Sequence, residues 1–159
     1  MSKKILTLIL SATIPAVIFS ACSSQNGASM SGNTELKDGE YRAEYKDYDD
    51  HGWKDYVTIT VSDGKYTACE YDAVNKDDGR KKSEDKEYAS AYPKDGGYVK
   101  PEEYTTRLEE DFIEKQNISS VDVIATATNS SESFKKLVGA LEVNIKRGKT
   151  DTVIIDNNS

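Results

Sequence analysis

Phe134, Leu137, Val138, Leu141 and Ile145 recur at intervals of three and four, the spacing of one apolar face on an α-helix. Asn129 ahead of them is an expected N-cap. Glu132, three residues later, completes a capping box. Lys146 and Arg147 suit the negative end of the helix dipole, and Gly148 suits its stop. A helix with one such face needs an apolar surface to lie on, so the rest of the chain must supply one.

Three runs upstream read as that surface. DGEYRAEY (residues 38–45) alternates, with Tyr41, Ala43 and Tyr45 on one face. Val57, Ile59 and Val61 alternate in a second run. Asp63-Gly64 then signals a hairpin, and residues 65–71 continue as a third strand. Pro101, with Glu102 and Glu103 behind it, opens another helix, on which Tyr104, Leu108 and Phe112 follow at spacing four. That helix is expected to end near Asn117. Residues 152–155 could add a last strand. The expected fold is α+β: a small antiparallel sheet packed against two amphipathic helices.

Residues 122–128 (DVIATAT) form a short extended run that ends in hydroxyls immediately before the long helix. Thr128 is therefore expected just ahead of a helix N-terminus. The backbone N–H groups there lack intrahelical partners and the dipole is positive. An anion at this hydroxyl would gain about 0.3–1 kcal/mol from the dipole, up to about 2 if partly buried. Phosphate is the expected guest. The plain alternative is an ordinary strand–turn–helix with hydroxyl residues at its cap.

The string D-x-x-x-x-A-T-x-S-S, followed by a Phe-Lys-Lys helix, resembles the FMN-binding domain family. In that family the motif is roughly D-x-x-S/T-G-A-T-x-S/T-S. Its last Thr carries FMN through a phosphoester, made by a flavin transferase with FAD as donor. The resemblance implies attachment at Thr128 and a cofactor-binding set of Asp122, Thr126, Ala127, Thr128, Asn129, Ser130 and Ser131. Two positions depart: Ala125 replaces Ser/Thr and Thr126 replaces Gly. A Gly can take positive φ or let a backbone approach closely, which a β-branched residue does poorly. DGEYRAEY, GWKDYVTITVSDGKY and PEEYTTRLEEDFIEKQ extend the resemblance along the chain, toward flavinylated electron-transfer lipoproteins of Gram-positive bacteria. Their cleaved signal peptides can be trimmed into pheromones. Relatives typically carry two such domains; one is visible here.

Residues 1–21 read as a targeting segment. Lys3 and Lys4 precede a mostly apolar run, and Ser20-Ala21 are small residues before Cys22. The run is short for a membrane-spanning helix. Ser-Ala-Cys resembles a bacterial lipobox, with Phe19 where Leu is usual, which implies cleavage before Cys22 and diacylglycerol on its sulfur. Two acyl chains would anchor a small domain stably. Residues 22–34, the lipidated Cys and a small polar run, read as a flexible linker, leaving 35–157 as the folding unit. With Cys22 lipidated, Cys69 remains alone, so no internal disulfide is expected. Cys69 is expected to pack as a small hydrophobe, with a redox role as the alternative.

The formal charge is −7, and without Lys3 and Lys4 the 19 basic against 28 acidic groups leave −9. That balance argues against nucleic acid as a partner and against a basic membrane-hugging surface. Residues 46–55 (KDYDDHGWKD) form an acidic connection holding the lone His51 and the lone Trp53. Asp47, Asp49 and Gly52 mimic the start of an EF-hand, but His51 and Thr58 break its pattern, so no metal is expected. Trp53 and the ten tyrosines are candidate ring neighbours that the sequence does not rank. Residues 75–100 are charged, with Gly and Pro, and read as a long loop.

With one His and no nucleophile elbow, hydrolase chemistry has no support, and no catalytic residue is expected. The resemblance implies an electron carrier rather than an enzyme. It would sit lipid-anchored on the extracellular face of the cell membrane. A quinone-linked donor in the membrane would reduce it, and an extracellular acceptor such as ferric iron would oxidise it. The alternatives are a flavin-free interaction lipoprotein with a degenerate motif, and a non-covalent FMN-binding reductase.

Overall fold

The computed structural model describes residues 35–92 and 97–157. The leader, Cys22 and the linker lie outside them. The fold is α+β. Strands β1 (Gly39–Tyr45), β2 (Trp53–Ser62) and β3 (Lys65–Asn75) pair antiparallel in sequence, and β4 (Val153–Ile155) joins β1 in parallel. The sheet order is β3-β2-β1-β4. Three helices follow β3: the single turn α1 (Lys86–Ser90), then α2 (Pro101–Lys115) and α3 (Thr128–Arg147). The latter two cover one face of the sheet.

Asp63 and Gly64 both take positive φ, 53° and 68°. That is the two-residue turn whose twist matches the flanking strands, so the β2–β3 hairpin closes at the Asp-Gly pair. Alternation then sorts the side chains. Tyr41, Ala43, Val57, Ile59, Val61 and Tyr71 point to the helices and are buried. From α2 come Tyr104, Leu108 and Phe112; from α3 come Phe134, Leu137, Val138, Leu141 and Ile145. Phe134 sits between Tyr71 and Phe112, with ring centroids 5.2 and 6.0 Å away. Each buried Val, Leu, Ile or Phe among them contributes about 1.5–3 kcal/mol of apolar transfer.

Three sequence expectations change. β2 starts at Trp53, not after residue 55, because Trp53 already pairs with Asn75 and its N–H donates to Asp49 Oδ1 at 2.8 Å. β3 runs on to Asn75 for the same reason. The stretch 75–100 is not wholly a loop: a 3-10 turn (Lys82–Glu84) leads into α1, where Asp85 Oδ1 accepts from the Glu87 and Tyr88 N–H groups. α2 ends close to where the sequence placed it, at Lys115, after which Gln116 turns left-handed at φ 54°.

The outer edge of β3 is covered by α2 side chains and the residue that follows. Gln116 Oε1 accepts from Tyr66 N–H at 2.9 Å and its Nε2 donates to Tyr66 O at 2.8 Å, mimicking a strand. Glu109 Oε1 accepts from Tyr71 N–H at 2.8 Å. Burial, with Asp72 and Glu70 nearby, pushes the Glu109 carboxyl up to about 7. Between the ordinary carboxylate range and pH 7 the folded state therefore holds more protons than the unfolded one, so stability falls as pH rises through that window. Unscreened, the shift would be worth about 3 kcal/mol. Solvent around the half-buried side chain reduces it to about 1–2. Glu109→Gln keeps the acceptor for Tyr71 and removes the charge. It is expected to gain about 1–2 kcal/mol at about pH 8 and almost nothing at about pH 5, read by urea denaturation at both. Cys69 on the same strand is half-buried, and burial pushes its thiol up, away from the reactive thiolate.

Candidate functional site

The apolar stripe of α3 begins at Phe134, so the first turn of that helix projects past the core. At this end of the sheet Tyr45, Trp53 and Asp55 continue the helix-covered faces of β1 and β2. The gap between them is a cleft of about 1160 Å³. Thr126, Ala127, Thr128, Asn129 and Ser130 line one side. Tyr88 and Tyr92 from and after α1, Tyr98, and Tyr104 of α2 line another, with Lys82 among them. Six of the ten tyrosines and the lone Trp line this cleft. Trp53 stands edge-on to Tyr88, with centroids 5.5 Å apart, and Tyr88 packs on Tyr92 at 5.8 Å. Burial lifts the Tyr92 phenol to about 12 and raises that of Tyr104, so both are neutral hydroxyls. A volume of this order suits a cofactor-sized ligand, and flat rings suit a planar one.

The helix start differs from the sequence expectation. Asn129 is not the N-cap: α3 begins at Thr128, with Ala127 as cap and no side-chain cap bond. The cause lies in the preceding turn. Ala127 N–H donates to Ile124 O at 2.8 Å, and Ala127 O accepts from Ser131 N–H at 2.9 Å. Helical bonding thus starts before Asn129 is reached, and the capping box with Glu132 has no function here. Thr128 is the first helical residue rather than a flanking one. It is exposed, and its Oγ1 donates only weakly to Ala125 O, at 3.3 Å. Thr128, Asn129 and Ser130 occupy the positions whose N–H groups a helix leaves without an internal partner.

Two residues of the motif stay out of the cleft. Ser131 is fully buried; its hydroxyl donates to Ala127 O at 2.9 Å and accepts from Ile124 N–H at 3.1 Å. It braces the turn that presents Thr128. Ser131→Ala leaves the Ile124 N–H without that partner and is expected to cost about 1–3 kcal/mol, read as a lower denaturant midpoint at unchanged slope. Asp122 is exposed and pairs with Lys115 Nζ at 2.9 Å, on the side of α2. Thr126 takes no positive φ, so the residue in the family's Gly position is unstrained. Its Oγ1 accepts from Val99 N–H at 2.9 Å, tying the segment after residue 97 to the motif.

Acidic groups dominate the rim. Asp47, Asp49, Asp50 and Asp55 line the cleft, against one lysine, Lys82. Its Nζ lies 4.8 Å from the Tyr88 ring centre and 5.8 Å from that of Trp53. Asp49 Oδ1 accepts from the His51 and Trp53 N–H groups, which closes the loop resembling an EF-hand start. Among the described residues no group of three or more His, Cys, Asp and Glu is placed to hold a metal. The sequence left Tyr88, Tyr92 and Tyr104 unranked among the tyrosines and gave no sign of Asp55 or Lys82. The usable signal was Asp85 ahead of Tyr88 and Tyr92, four residues apart, which marks a capped helical turn with two rings on one side.

No protein-family model matches the chain. It is 36% identical over 139 residues to the 15 kDa lipoprotein of Treponema pallidum (strain Nichols), covering 87% of this chain and 91% of that protein. The matched length exceeds what residues 35–159 can supply, so the match extends into the residues before 35. The crystal structure of the CPE2226 protein from Clostridium perfringens is 42% identical, with a TM-score of 0.70, covering 76% of this chain and 98% of that one.

Proposed function

This chain belongs to the family of the 15 kDa lipoprotein, and from that premise we propose a lipid-anchored flavoprotein electron carrier with FMN esterified to Thr128. The observation that carries the reading is the Thr128 hydroxyl, exposed on the first residue of α3 and opening onto a cleft lined with seven aromatic side chains. The residues present fit the cofactor. The first-turn N–H groups would receive the phosphate, and the tyrosines with Trp53 would flank the ring. Flavin, when bound, supplies transfer of one or two electrons. The chain holds it, limits water around it and sets the nearby charge. Lys82 is the cationic side chain placed to do the last of these.

The acidic rim favours a covalent link over simple binding. FMN carries a phosphate, and Lys82 alone offsets four carboxyl groups around the cleft. An ester to Thr128 would retain an anionic cofactor that charge alone would not. Outside a cell, where lost cofactor is not recovered, that matters more. The relative's name and the Ser-Ala-Cys22 string support anchoring through Cys22 to the outer face of the cell membrane. A flavin transferase would load Thr128 from FAD. A quinone-linked donor in the membrane and an acceptor such as ferric iron would complete the relay.

One second reading has support of its own. The motif lacks the usual Ser/Thr at Ala125 and Gly at Thr126, and no family model matches, which favours a flavin-free interaction lipoprotein. Co-expression with a flavin transferase, followed by flavin fluorescence in a denaturing gel, separates the readings. Fluorescence that stays with the band supports the covalent carrier. Flavin released on denaturation indicates a non-covalent binder. Absence of flavin in both native and denatured protein leaves the interaction lipoprotein.

A further inference from the structure

Asp55 has no part in attaching a ligand at Thr128. It lies half-buried on the helix-covered face of β2, where it lines the cleft. Its surroundings pose a proton-counting problem. The Tyr71 hydroxyl stands 2.9 Å from Asp55 Oδ2 and 2.9 Å from the backbone oxygen of Ser130. A phenol has one proton, and a backbone carbonyl has none to give. If Asp55 is ionised, the one Tyr71 proton must either be shared between two acceptors, which weakens both bonds, or leave one 2.9 Å oxygen–oxygen contact without a hydrogen. If Asp55 carries a proton on Oδ2, it donates to Tyr71 Oη and Tyr71 donates to Ser130 O. Both contacts are then hydrogen bonds.

We propose that Asp55 is a neutral carboxylic acid in the folded protein at neutral pH, the proton-binding site of the cleft. The groups around it come from every neighbouring element. Lys82 of the 3-10 turn favours the ionised form, as does the hydrogen bond from Ser133 of α3. Asp49 of the β1–β2 loop favours the acid. Tyr45 of β1, Tyr71 of β3 and Tyr104 of α2 face it as neutral phenols. Burial outweighs the favourable groups and pushes the carboxyl up. A neutral Asp55 removes one of the four negative groups from the cleft, which suits it to an anionic ligand.

This deepens the flavin reading, but its first test does not rest on it. In flavin-free protein, the side-chain carboxyl carbon of Asp55 is followed by NMR across a pH titration. The expected result is an acid-form shift that persists at about pH 7. An ionised-form shift at about pH 7 overturns the proposal. The second test uses flavin-loaded protein. Ionising Asp55 places negative charge near the ring and makes reduction harder, so the potential of the wild type should show an added downward break at the pH found by NMR. Asp55→Asn, in which Nδ2 replaces the acid's O–H as donor to Tyr71, should lack that break. A break that survives in Asp55→Asn overturns the coupling. If no flavin loads, the carrier reading fails while the NMR result still decides the state of Asp55.

Discussion

Thr128→Ala is expected to abolish all flavin that survives denaturation, with almost no change in stability. The hydroxyl removed is exposed, and its hydrogen bond to Ala125 O is long at 3.3 Å. Changes at such surface positions usually stay within about 0.5 kcal/mol. The loss would therefore belong to the ester oxygen and not to a misfolded domain. Thr128→Ser keeps an oxygen at the same place and should keep part of the flavin. The nearest rival hydroxyls are already engaged or differently placed. Thr126 Oγ1 accepts from Val99 N–H, and Ser131 is buried in its own bonds. Thr126→Ala and Ser130→Ala should both retain denaturation-resistant flavin. If Thr128→Ala remains fluorescent while Thr126→Ala goes dark, the attachment point is Thr126 and the assignment falls.

The largest stability effect should come from Phe134→Ala, at about 3–5 kcal/mol. Phe134 is fully buried, and its ring is wedged between Tyr71 and Phe112. Truncation removes the transfer energy of the ring and leaves a cavity that the sheet and α2 cannot both close. The consequences should reach the cleft. Tyr71, whose ring would lose its neighbour, holds Ser130 O and Asp55 through its hydroxyl. Guanidinium denaturation should show the lower midpoint. Faster amide exchange in the first turns of α3 should accompany it. Phe134→Leu, which fills most of the volume, should lose roughly half as much. A cost under about 1 kcal/mol for Phe134→Ala would mean that α3 is not clamped to the sheet as described.

What could be read from sequence was local. The α3 stripe sits where its spacing placed it, Gly148 ends the helix in the left-handed region, and Asp63-Gly64 makes the hairpin. Each depends on neighbours within a few residues. The parallel pairing of β4 with β1 joins residues far apart in the chain, and three residues of alternation do not choose a partner. Gln116 adopts positive φ because its amide holds the Tyr66 backbone, a contact 50 positions away. The helix start slipped for a smaller reason: a buried serine, Ser131, satisfied the turn that an Asn129 cap would otherwise have made. The cleft was the least legible part. Tyr45, Trp53, Tyr88 and Tyr104 come from four segments, and only the topology brings their rings together.

Peptide-level mass spectrometry of protein matured in its own host reads the state of Thr128 Oγ1 directly. The tryptic peptide containing Thr128 is expected to be heavier by FMN less one water, with fragment ions placing the increment on that residue. An unmodified Thr128 in such material would contradict flavin attachment there.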